Sequence, residues 1–114
     1  MFYIKINDNL YPATVNGKLV DRDWDNRDSK AITLEMDHAT AANIFVDELD
    51  WSIVCQGDSY ENEDGETITP EPVTYDNSEY CVAGSITDNR DGTVTVKMGK
   101  PTDAELLAIM MGGN

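Results

Sequence analysis

The stretch YDNSEYCVAGSITDNRDGTVTVKMGK, residues 75–100, decides the fold. It holds two runs, EYCVAGSIT and TVTVKM, joined by a DNRDG turn. Apolar and polar residues alternate in both runs, the pattern of strands with one buried and one wet face. Asp88 and Asn89 suit a turn because their short side chains bond their own backbone, and Gly92 supplies the left-handed residue that closes a five-residue hairpin. Arg90 partly balances the turn's acidity. Strands with one wet face are rare in parallel sheets, so the hairpin implies an antiparallel fold.

Working toward the N-terminus, WSIVC alternates again, with Trp51, Ile53 and Cys55 on one side. Before it, Asp37 is placed to cap a helix over residues 38–49, on which Ala41, Phe45 and Leu49 share a face. KAITLEM, residues 30–36, turns Ile32, Leu34 and Met36 inward. FYIKI and LYPATV read as two further strands, with Pro12 at an edge or a bulge because it lacks an N–H. Asn16-Gly17 reads as a hairpin turn, since both residues tolerate positive φ.

Between Trp51 and the opening stretch the composition changes. GDSYENEDGE, residues 57–66, carries five acidic residues and no aliphatic one, and no Lys or Arg occurs from Asp58 to Glu79. The sequence predicts a mobile acidic loop or hairpin tip there. Pro70 and Pro72 then hold TITPEPVTY extended, as an edge strand that discourages sheet-to-sheet aggregation. At the other end, Thr102-Asp103-Ala104-Glu105 forms a capping box for a helix over about residues 103–111. The expected architecture is mainly β (α+β): six or seven antiparallel strands in a small barrel or sandwich, one internal helix and a short C-terminal helix. All 114 residues form one domain, a length that supports a single core.

The 22 acidic and 8 basic residues leave a formal charge of −14. No Lys/Arg cluster is available to neutralise phosphates, which argues against nucleic acid and anionic membranes as partners. A basic protein face or a divalent cation is the natural complement, although acidity also simply keeps a folded surface soluble. Calcium is not expected. Setting Gly92 at the sixth position of a calcium loop puts Thr87 first and Met98 twelfth, and neither is a ligand. Setting Gly65 there offers Asn62, Asp64 and Glu71, but Tyr60 opens the run and no helices flank it.

MFYIKINDNL has no leader pattern and no apolar run approaches bilayer length, so a soluble cytoplasmic chain is expected. Cys55 and Cys81 have neither metal nor CxxC spacing and read as reduced, largely buried thiols. His38 is the single histidine and sits at a helix start, so a histidine-based catalytic constellation is not indicated. No phosphate-binding glycine loop or zinc motif occurs, and no cofactor or enzyme activity is expected. A carboxylate pair is formally available among so many acids, but without specificity.

Trp24 in DRDWDNRDS either stacks on a ligand between Arg22 and Arg27 or anchors a polar connection to the core, the latter being expected. Tyr60, Tyr75 and Tyr80 lie near the acidic region as adaptable contact residues or half-buried strand tyrosines. In DAELLAIMMGG, Leu106, Leu107, Ile109, Met110 and Met111 make too wide an apolar stripe for one side of a short helix. Packing on its own sheet accounts for part of that stripe, and docking to a neighbouring subunit is the candidate for the rest.

The segments FYIKIN, DRDWDNRDSKAITLEM, NIFVDELDWSIVCQ and YDNSEYCVAGSITDNRDGTVTVKMGKPTDAELLAIMMGG together resemble small uncharacterised proteins of prophages in Gram-positive gut bacteria, located among tail-structure genes. The resemblance spans most of the chain except the acidic insertion around residues 57–73. It implies a structural or accessory role in the virion tail or baseplate, with other phage structural proteins or further copies of the chain as partners. Two other classes stand beside it: a carbohydrate- or cell-wall-binding module using Trp24 and exposed tyrosines, and a small carboxylate-based hydrolase.

Overall fold

The computed structural model describes residues 2–110, with side chains described to residue 107. The strands are β1 (Phe2–Ile6), β2 (Asn9–Asp21), β3 (Arg27–Glu35), β4 (Ser52–Cys55), β5 (Tyr60–Glu61), β6 (Thr67–Ile68), β7 (Val73–Asp76), β8 (Val82–Asp88) and β9 (Thr93–Gly99). The helices are α1 (His38–Ile44) and α2 (Asp103–Met110), with a 3-10 turn at Arg22–Trp24. Seven strands form one antiparallel sheet in the order β7-β4-β1-β2-β3-β9-β8, and β5 and β6 form a separate two-stranded ribbon.

Register sets the core. Val15, Ile32 and Val96 lie side by side across β2, β3 and β9, as do Ala13, Leu34 and Val94. With Ile4, Ile6, Met98, Trp51 and Tyr80 they form one apolar cluster that Ala41 of α1, lying against β8 and β9, and Phe45 just after the helix close. Burying each large aliphatic side chain contributes about 1.5–3 kcal/mol. Trp51 also satisfies its polar atom, donating from Nε1 to the Tyr80 carbonyl at 2.9 Å.

The sheet does not close into a barrel or pair into a sandwich. Closure would need the outer strands to meet. β7 is four residues long and follows Pro70 and Pro72, and β8 carries a register shift between Ala83 and Ile86. α1 supplies the second layer instead, over one half of the sheet only. The result is elongated, 63 × 34 × 26 Å with a radius of gyration of 17.0 Å, against about 13 Å for a compact chain of this length.

Three local expectations are corrected. Asn16 and Gly17 lie inside β2, paired with Ala31 and Lys30. The chain reverses at residues 22–26 instead, where the Asp21 carboxylate accepts from Asp23 N–H at 3.2 Å and Asp25 and Asn26 take φ of 57° and 58°. Asp and Asn tolerate that left-handed region, so this turn competes successfully with Asn-Gly. α1 is capped by Asp37 as expected, its Oδ1 accepting from Thr40 N–H at 2.6 Å, but stops at Ile44. Phe45 turns extended and enters the core, and Glu48 takes φ of 64° to lead into β4. The cysteines are half-buried free thiols rather than largely buried ones.

The DNRDG turn forms with Gly92 at φ 91° and Arg90 at 62°. Asp88 Oδ1 accepts from Arg90 N–H at 2.8 Å and Asp91 Oδ1 from Thr93 N–H at 3.0 Å. The acidic stretch is the β5–β6 hairpin, whose tip is organised by Asn62 Oδ1 accepting from Asp64 and Glu66 N–H.

Candidate functional site

Polar chemistry gathers at two places. On the face of β2, β3 and β9 turned away from the core, the fully buried Asp21 carboxylate accepts from Lys97 Nζ at 2.9 Å and from Ser29 Oγ at 3.1 Å, with Lys18 Nζ at 3.5 Å. The Lys97 hydrogen bond lowers the Asp21 pKa from 3.8 to about 2, with help from Ser29 and the Asp23 amide and against the opposing effect of burial. Beside it Arg27, also buried, donates to Glu105 Oε1 at 2.9 Å and to the Lys100 carbonyl at 3.1 Å. These ions neutralise one another within the fold. Such closed pairs orient backbone elements more than they offer reactive groups.

Trp24 belongs to this cluster. The Arg27 guanidinium lies 4.6 Å from its ring centroid. The six-membered edge of the indole rests where Gly84 and Gly99 leave room: a Cβ on Gly84 would come within 2.6 Å of Cη2, and one on Gly99 within 2.8 Å of Cζ3. The indole therefore fills a groove formed by two glycines on neighbouring strands. Periodicity could not reveal this, because β8 and β9 meet Trp24 only through the topology.

The second place is Tyr80, which has Lys30 Nζ at 4.5 Å and Lys100 Nζ at 5.1 Å from its ring centroid. Lys30 also donates to Asn77 Oδ1. Desolvation lowers the Lys30 pKa, Glu79 opposes that change, and Lys100 adds to it. Asn77 is buried and anchors the loop after β7: its N–H donates to the Trp51 carbonyl at 2.8 Å and its Nδ2 to the Tyr75 carbonyl at 3.0 Å.

The apolar face continues past the covered core toward β7. Ile4, Ile53 and Tyr75 form one cross-strand row, and Phe2, Cys55 and Val73 form the next. Exposure climbs along the first row from 0% at Ile4 to 56% at Tyr75, and Phe2 and Val73 are each 50% exposed. α1 lies over the opposite half of the sheet, so Phe2, Val73 and Tyr75 face solvent while Ile53 and Cys55 are half-buried. Sequence alternation identified the strands, but strand order alone determines that these two rows lie together at an uncovered end.

Of the residues singled out at the C-terminus, Leu106 and Leu107 are 45% and 57% exposed on α2. The Ile109 and Met110 side chains and Met111 lie outside the described residues. The α2 capping box forms as expected, Glu105 Oε1 accepting from Thr102 N–H at 2.8 Å and Thr102 Oγ1 from Glu105 N–H at 3.2 Å. The Thr102 amide and then Arg27 lower the Glu105 pKa. His38 opens α1 and is exposed. Among the described residues no three His, Cys, Asp or Glu side chains are placed to hold a metal ion, and no helix is long and apolar enough to cross a membrane. In comparisons with known proteins, the chain matches no family model, no curated protein and no solved structure.

Proposed function

We propose that the chain is a non-enzymatic structural or accessory component of a phage tail or baseplate, acting through protein–protein contacts. The observation that carries this is the exposure of Phe2, Val73 and Tyr75 beside the half-buried Ile53 and Cys55 in two adjacent apolar rows at one end of the sheet. Contiguous exposed apolar side chains bordered by polar ones mark contact surfaces. Leu106 and Leu107, exposed on α2, are a second such contact. The phage setting comes from the resemblance carried by residues 2–7, 21–36, 43–56 and 75–113.

The carboxylates whose pKa is displaced, Asp21, Asp37, Asp76, Asp91 and Glu105, are all displaced downward by hydrogen bonds. A glycosidase acid needs the opposite shift, so these groups suit structure better than hydrolysis. Trp24 is committed to Arg27 and to the glycine groove, which leaves a sugar little of the ring to stack on.

Particles released by inducing a lysogen that encodes the chain should contain it at fixed stoichiometry by quantitative mass spectrometry. Its absence from them, together with a strictly monomeric purified protein that captures no tail component, would overturn the proposal.

A further inference from the structure

We propose that the outer edge of β7 accepts an extended, alternately basic and apolar segment of a different protein as an eighth strand of the sheet, antiparallel to β7. This deepens the protein-contact function proposed above, and rests on it, by naming the partner's chemistry and the place it binds. The Asn77 N–H bonds the Trp51 carbonyl, which makes that pair a hydrogen-bonded one. Alternation along an antiparallel ladder then makes Ile53 with Tyr75 and Cys55 with Val73 hydrogen-bonded pairs as well. The N–H and C=O groups of Thr74 and Asp76 therefore point away from β4, toward the open edge. β7 has no other strand neighbour in the sheet.

The two edges of the sheet differ. At β8, the Ala83 N–H is capped by Asp47 Oδ1 at 2.8 Å, and the Cys81 carbonyl just before the strand accepts from Glu48 N–H at 2.7 Å. No such cap covers Thr74 or Asp76 among the described residues. An edge strand with outward amides and pockets or rows for alternate side chains is how strand addition gains both affinity and selectivity.

Charge and register select the occupant. Asp76 lies on β7 itself, and the chain from Asp58 to Glu79 holds eight acidic residues and no basic one, so a second copy added at this edge would set like charges against like. A Lys/Arg-bearing strand is complementary instead. Its alternate residues meet different neighbours. Those on the core-side face lie beside Val73 and Tyr75 and must be apolar, while those on the other face lie beside Thr74 and Asp76 and should be basic.

The probe is a fluorescent peptide Lys-Val-Lys-Ile-Lys-Val-Lys, titrated with the full chain at low and high salt. In the proposed antiparallel register the lysines exchange hydrogen bonds with Thr74 and Asp76. N-methylation at the inner lysines should therefore weaken binding about tenfold or more, whereas N-methylation at the valines should not, since each lost main-chain hydrogen bond costs up to about tenfold. Binding should slow amide exchange at Thr74 and Asp76, and Thr74→Pro, which deletes an outward N–H without touching the ladder to β4, should abolish it. A lack of binding at low salt, or equal binding of both methylated peptides to the wild-type chain, overturns the proposal. Equal binding would leave only diffuse charge attraction, and self-association through β7 in place of peptide binding would likewise refute it. If the chain is present in particles while the peptide fails, the edge proposal falls and the tail function stands; absence from particles with register-specific peptide binding gives the reverse.

Discussion

Replacing Gly84 by alanine tests whether Trp24 is seated on β8 and β9 as a structural wedge. A Cβ at position 84 would lie 2.6, 2.9 and 3.0 Å from Cη2, Cζ2 and Cζ3 of the same rigid ring. Carbon atoms prefer about 3.5–4.0 Å, so the indole must retreat by roughly 1 Å. That movement also disturbs the contact of the ring with the Arg27 guanidinium. Overpacking of this kind costs about 1–3 kcal/mol, while a Gly→Ala change in a permissible backbone returns about 0.4–1 kcal/mol by restricting the unfolded chain. The net expectation is a loss of about 0.5–2 kcal/mol, or a melting temperature lower by roughly 2–8 °C. Gly17→Ala is the control, because nothing lies within 4 Å of its added Cβ. It should raise the melting temperature by roughly 2–4 °C. Urea and thermal unfolding of the two variants, alone and with Trp24→Ala, provide the measurement. The Gly84→Ala penalty should shrink or vanish once the indole is gone, since only contacting residues couple. A Gly84→Ala chain as stable as wild type, or an undiminished penalty in the Trp24→Ala background, would refute the wedge.

Trp51→Phe should cost about 1–3 kcal/mol in chemical denaturation, because the Tyr80 carbonyl loses its indole donor in a buried place. Stability should decline as pH falls from about 4.5 to about 2. Asp21 and Glu105 have lowered pKa values in the fold, so their contribution is complete above the unfolded values and is lost as they protonate. Urea midpoints across that range check this, and Asp21→Asn should flatten the lower part of the profile. Thr102→Ala should cost α2 about 1 kcal/mol, seen as roughly fivefold faster amide exchange over residues 105–107 with the sheet unaffected. A glycan array should give the same result for wild type and Trp24→Ala; selective loss of a glycan signal in the variant would restore sugar stacking as its role.

Local chemistry carried much of this fold into the sequence. The DNRDG turn, the Asp37 cap, the Thr102–Glu105 capping box and the alternation of Ile32, Leu34, Val94 and Val96 each depend on near neighbours, so they could be read directly. Asn16-Gly17 was misleading because turn propensity is only a preference. Pairing with Ala31 and Lys30 continues the ladder and outweighs it. Which strands became edges, by contrast, follows from the order β7-β4-β1-β2-β3-β9-β8. Alternation gives each strand an apolar face but does not say what will cover it. Only the assembled sheet placed α1 over β8 and β9, left Val73 and Tyr75 uncovered, and brought Trp24 onto Gly84 and Gly99, 60 and 75 residues further along the chain. Contacts between residues so far apart depend on the route of the whole backbone, which short-range patterns do not encode.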